Sequence, residues 1–158
     1  MYFLFIFLVF FVSPVYAINT GTAQFLGNLT SSCDVSNFID GTIVANSGAT
    51  SLSSTAAGGT PATFTAQTNA GSYKITLGTP TLVGPSGTVT GVTFTTTASA
   101  TGTGVLGSII SLINSVAGVL NLSLGGTYAV TVNATATLPS GSFEAGTYTL
   151  SVPVSCSL

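Results

Sequence analysis

The side chains able to do chemistry in this chain are few. They are Cys33 and Cys156, the acids Asp34, Asp40 and Glu144, and a single base, Lys74, with no histidine. Acid–base and nucleophilic catalysis needs a group that titrates near neutral pH or a base that activates a hydroxyl or thiol, and the commonest such base is missing. Lys74 stands between Tyr73 and Ile75 on the outward side of an alternating run and reads as an exposed strand charge. The acids are scattered: Asp40 precedes Gly41 and suits a turn, and Glu144 falls in a loop over 139–146. A calcium site from these acids and backbone carbonyls lacks any Asp-x-Asp or loop motif. Neither cysteine belongs to a Cys-x-x-Cys pair, no histidine completes a zinc site, and Gly102-Thr103-Gly104 stops short of a phosphate-cradling loop. The expectation is a protein that is not an enzyme and holds no cofactor or metal.

The two cysteines allow one intramolecular pairing, Cys33 with Cys156, and free or intermolecular thiols are the other reading. The compartment bears on this choice. Met1 to Phe11 is an almost unbroken apolar run followed by Ser13, Pro14 and Val15-Tyr16-Ala17, the pattern of a secretory signal peptide cut after Ala17. No Lys or Arg precedes the run; read as an uncleaved anchor, it is shorter than the roughly 20 residues that span a bilayer. An exported chain meets an oxidising environment, where the bridge forms and contributes about 4 to 5 kcal/mol by the chain-entropy estimate. The expected organisation is a signal peptide over 1–17, an N-terminal segment over 18–27 and one domain over 28–158. So little charge argues against nucleic acid, which needs clustered Lys and Arg, and a neutral Thr, Ser, Gly and Asn surface favours association between copies. Contact with a membrane is expected only through the signal peptide during export. Three Asn-x-Ser/Thr triplets, at Asn28, Asn121 and Asn133, are acceptors for N-glycans in a eukaryotic secretory pathway, and also arise by composition in Ser- and Thr-rich strands.

The elements that would position these groups read as β-strands. Short alternating runs separated by Gly, Pro, Asn and Asp predict strands at 23–29, 42–46, 61–68, 72–78, 87–97, 127–138 and 146–156, in a sandwich or barrel. Tyr128, Val130, Val132, Ala134 and Ala136 share one side of a strand, and Tyr148, Leu150, Val152, Val154 and Cys156 share one side of another. The same parity upstream places Phe25, Leu29, Cys33 and Val35 inward unless Ser31-Ser32 resets the phase. The predicted core is Phe64, Tyr73, Ile75, Leu77, Val92, Phe94, Tyr128, Val130, Val132, Tyr148, Leu150, Val152 and Val154. Val105, Ile109, Leu112, Ile113, Val116 and Leu120 recur at helical spacing and predict a short amphipathic helix over 105–117. A membrane-binding helix would carry Lys or Arg on its polar face, and a buried β-run fits the same residues.

Gly41-Thr42-Ile43, Pro61-Ala62-Thr63-Phe64, Gly71-Ser72-Tyr73-Lys74-Ile75-Thr76-Leu77, Gly125-Gly126-Thr127-Tyr128 and above all Glu144-Ala145-Gly146-Thr147-Tyr148 resemble secreted bacterial pilin-like families. These are the spore-coat-U-like and chaperone–usher type pilin domains. The resemblance covers roughly residues 24–158. It implies an immunoglobulin-like β-sandwich, here of about seven strands with one short helix insertion, that assembles by strand exchange and binds no cofactor. It also implies related subunits, a periplasmic chaperone and an usher as partners, and a place in the periplasm, at the cell surface or in a fimbria. Cys156 stands where an aromatic is usual in these families. The expected function is a structural subunit of a pilus-like fibre or coat, with a secreted carbohydrate- or surface-binding adhesin as the alternative. An edge defended by one lysine suits strand addition, and Ile18, Thr20, Thr22, Gln24 and Leu26 are the expected donor-strand residues. A flexible tail leading into the protein's own first strand is the other reading of that segment.

Overall fold

The computed structural model describes Gln24 and residues 26–104, 109–115, 119–122 and 124–158. The signal peptide expected over 1–17, Ile18, Thr20 and Thr22 of the expected donor segment, and Phe25 lie outside the described residues. The described chain is all-β. Its strands are β1 Cys33–Ile39, β2 Val44–Ala45, β3 Ser51–Ser53, β4 Ala62–Thr68, β5 Tyr73–Leu77, β6 Thr81–Gly84, β7 Gly87–Thr88, β8 Thr93–Gly104, β9 Ile109–Ser115, β10 Val119–Leu122, β11 Gly126–Thr137, β12 Thr149–Ser151 and β13 Val154–Ser157.

The long alternating run Gly126–Thr137 becomes the central strand of a seven-stranded antiparallel sheet. Along one side β11 pairs with β8 over its whole length. Its other side is shared, first by β4 up to Val132 opposite Ala62, then by β3 from Thr135 opposite Ser53. The outer strands are β1 beside β4, β2 beside β3 and β9 beside β8. The handover from β4 to β3 would strand polar groups of β11, and Ser54 prevents this. Its N–H donates to the Ala134 carbonyl, its hydroxyl accepts from the Ala134 N–H at 3.0 Å, and the same hydroxyl donates to Asn133 Oδ1. Ser54 is buried, so Ser54→Ala leaves an unsatisfied amide and is expected to lower stability by about 1 to 3 kcal/mol, read as a shifted urea midpoint.

Two three-stranded sheets, β10-β5-β13 and β12-β6-β7, cover the inner face. The core lies between the layers, with Phe64, Ala66, Ala98, Ala100, Tyr128, Val130 and Val132 from one side and Tyr73, Ile75, Leu77, Leu120 and Leu122 from the other. A smaller cluster joins Leu52, Leu82, Ala136 and Phe143. Large and small residues alternate across facing strands. Tyr128 stands opposite Gly102, where a Cβ would come within 2.6 Å of the tyrosine ring, so glycine makes room for the ring.

Several expectations are corrected. The helix over 105–117 is not formed: Ile109–Ser115 is a strand hydrogen-bonded to β8, and 105–108 and 116–117 lie outside the described residues. Over 109–115 the extended alternative, a β-run, is the conformation adopted. No strand exists over the described residues of 23–29, and Leu29 is 82% exposed, so the inward parity begins only at Cys33. The described strands outnumber the expected seven. The run 146–156 is split at Pro153, with β12 pairing β6 and β13 pairing β5. Seven predicted core residues are buried, while Val92, Phe94, Tyr148, Leu150, Val152 and Val154 are half-buried and pack against the clusters.

Candidate functional site

Cys33 at the start of β1 and Cys156 in β13 form a disulfide with the Cα atoms 6.1 Å apart. It joins an outer strand of the large sheet to an outer strand of the facing sheet. Both cysteines are half-buried against the core, as their shared parity predicts. Such a bridge fits an oxidising, extracytoplasmic environment. Among the described residues, no helix is long and apolar enough to cross a membrane.

Beyond the disulfide the two edges are not hydrogen-bonded to each other, and a groove of about 590 Å³ opens between them. Its floor is Phe64 and Val132, and its walls are Phe38 and Ile43 on one side and Leu150 and Val152 on the other. Phe38 owes its place to a bulge. The β1–β4 register slips by one residue between Ser36 and Ile39, with Asn37 at φ 54°, and this turns Phe38 onto Phe64 with ring centroids 5.2 Å apart. Phe38 nevertheless remains 59% exposed, because nothing described covers the groove.

The far wall also presents backbone. The Val89 N–H donates to the Leu82 carbonyl, so Leu82 faces β7, and its neighbours Thr81 and Val83 face β12. Antiparallel ladders alternate, so Thr149 and Ser151 bond to β6 and Leu150 turns its N–H and C=O away, toward the groove. The Gly78 N–H donates to the Pro153 carbonyl, which by the same alternation turns Val152 and Val154 outward. Among the described residues none of these three has a backbone partner on that side. Proline often blunts a sheet edge, but Pro153 faces β5, so its missing N–H leaves the open edge intact.

The Glu144-to-Tyr148 motif sets the end of this wall. The Tyr148 hydroxyl donates to the Glu144 carbonyl at 2.9 Å, and Ser86 donates to Glu144 Oε2. A Cβ on Gly146 would fall 2.7 Å from Pro85, and one on Gly84 would fall 2.6 Å from the Tyr148 ring, so this corner accepts only glycine at both places. The same device recurs before β11, where the Tyr128 hydroxyl donates to the Leu124 carbonyl at 2.6 Å, again four residues back and again after Gly-Thr. Tyr128→Phe is expected to cost about 1 kcal/mol in chemical denaturation.

Gln24 and Leu26 of the expected donor segment lie outside any strand, and Leu26 is 97% exposed. Asp34, Asp40, Lys74 and Glu144 are all exposed on separate elements, and among the described residues no group of three or more metal-ligating side chains gathers. The groove escaped sequence reading because its walls lie more than a hundred residues apart in the chain. The chain matches no protein-family model, no curated protein and no solved structure.

Proposed function

We propose that this protein is a non-catalytic structural subunit of a pilus-like fibre or coat, secreted to the cell surface, in which copies join by strand addition. The observation that carries this reading is the groove, with Phe38, Phe64, Val132, Leu150 and Val152 among its lining beside Asp40 and several threonines, and an unpaired, uncharged strand edge along one wall. An added strand gains main-chain hydrogen bonds from such an edge and fills the slot with alternate side chains. The occupant is the segment Ile18 to Gly27 of a neighbouring copy, and about seven residues at roughly 3.3 Å each would run from Tyr148 to Val154. Leu26 of that segment, exposed ahead of β1, supplies an apolar side chain that no described residue buries in the free subunit. The immunoglobulin-like architecture belongs to this proposal. Its support is the two-layer core and the tyrosine hydroxyls bonded back to the chain before β11 and β12, as at the tyrosine corner of sandwich domains. A periplasmic chaperone and an usher would serve the same open edge before assembly.

Excess synthetic peptide covering residues 18–29 is expected to arrest polymerisation of the exported chain. Phe38→Asp, a change at an exposed position, is expected to do the same on its own. Undiminished fibres in both experiments would contradict the groove as acceptor.

A further inference from the structure

Two features beside β1 fix the route by which the N-terminal segment leaves the domain. Asn69, the residue after β4, accepts at Oδ1 from the Ser32 N–H and donates from Nδ2 to the Thr30 carbonyl, both at 2.7 Å, and its own N–H donates to the Ser32 carbonyl. Cys33 stands opposite Thr68, so these bonds continue the β1–β4 ladder past the ends of both strands and hold residues 30–32 in line with β1. The second feature is the disulfide. It keeps the Cα atoms of Cys33 and Cys156 6.1 Å apart, whereas a strand lying between two others needs about 9.6 Å, twice the strand spacing.

The groove lies the other way. Its walls, Phe38 and Ile43 on one side and Leu150 and Val152 on the other, are on the far side of the bridge from Thr30. Gln24 and residues 26–29 are exposed, and none of them lines it. A chain beginning at Ile18 has residues 18–29 free ahead of the clip at Thr30. With residues 18–24 in the groove, residues 25–29 would have to reverse direction, pass outside the bridge and reach the groove wall at Val154. From Thr30 back past Cys33 to the level of Val35 is about 17 Å in a straight line, and five fully extended residues span about 17 Å, so nothing is left for the turn and the detour. Released from Asn69, residues 30–32 would add about 10 Å of reach.

We propose that Asn69 and the disulfide act together as a stop that keeps each chain's N-terminal segment out of its own groove, leaving the groove to the segment of a second copy. This rests on the groove being the acceptor. The contact so formed is heterologous, the bridge end of one copy joined to the groove of the next, and such a contact propagates as an open, polar fibre.

The test uses a fluorescent peptide of residues 18–29, titrated into chains kept dilute enough to stay monomeric. A chain beginning at Ile18 and one lacking Ile18 to Ala23, both with the disulfide, should bind it equally, because neither groove is occupied. Two variants of the longer chain give its segment the missing reach. One carries about eight Gly and Ser residues between Gly27 and Asn28, worth about 26 Å when extended, at a place where a Cβ on Gly27 would meet no atom within 4 Å. The other is Asn69→Ala. In both, the segment should enter its own groove at a roughly millimolar effective concentration, weakening the peptide about tenfold or more and replacing fibres with folded monomers. Removing Ile18 to Ala23 from either variant should restore peptide binding, which it would not do for a groove merely damaged by the change. Weaker binding by the parent than by its truncated form would overturn the proposal, as would either variant binding and polymerising like the parent. A peptide bound by neither the parent nor its truncated form would instead fault the groove as acceptor, and the stop would fall with it.

Discussion

Val130→Asp is expected to leave the protein unfolded. Val130 has no solvent exposure; it sits in the middle of β11, flanked by β4 and β8, with Phe64 opposite it on β4 and Ala100 opposite it on β8. A carboxylate there has no base within its layer, because the chain's only cation, Lys74, is exposed on the other sheet. An unpaired buried charge costs several kcal/mol, and a domain of this size holds about 5 to 15 kcal/mol in total. Circular dichroism and thermal melting check this; a cooperative transition near that of the unaltered protein would show that the inner face of β11 is wrongly assigned. Val152→Asp provides the contrast. The parity of the last strands makes Val152 a core residue, but it is half-buried at the rim of the groove, so its aspartate retains water and destabilises less than Val130→Asp.

Loss of the disulfide is the second large effect. The bridge spans a sequence separation of 123, and Cys33→Ser with Cys156→Ser is expected to cost about 2 to 5 kcal/mol, toward the upper end because the closed loop is long. It also frees β1 from β13, which share no backbone ladder, at one end of the groove. Alkylation followed by mass spectrometry of the folded protein should find neither thiol reactive, and urea unfolding should show the lower midpoint in the double variant. An unchanged midpoint would mean that the two edges are held together by packing alone.

How much of this was legible in the sequence depends on how local each cause is. β11 was readable because alternation over a long run has one explanation, a half-buried strand, and its side chains fall as the parity requires. The cysteine pairing was readable for the same reason, since both ends share the inner face. β9 was misread because Ile109, Leu112 and Ile113 fit a helical stripe as well as a strand, and only the partner strand β8 decides between them. The last strand was readable in phase but not in partner. The chain between β5 and β6, Gly78-Thr79-Pro80, is one residue longer than Val152-Pro153 opposite it, so the ladder slips there and two sheets replace one. The groove was least legible. It needs the bulge at Asn37, the orientation of Pro153 and the approach of β1 to β13, and none of these is a property of a single segment.

Electron microscopy with sedimentation of a chain beginning at Ile18, beside one lacking Ile18 to Ala23, tests the proposed strand addition most directly. Both chains keep β1, the disulfide and the groove, so both should melt alike. The complete chain is expected to form fibres and the truncated chain to remain a folded monomer. Fibres of normal length from the truncated chain would contradict assembly by this segment.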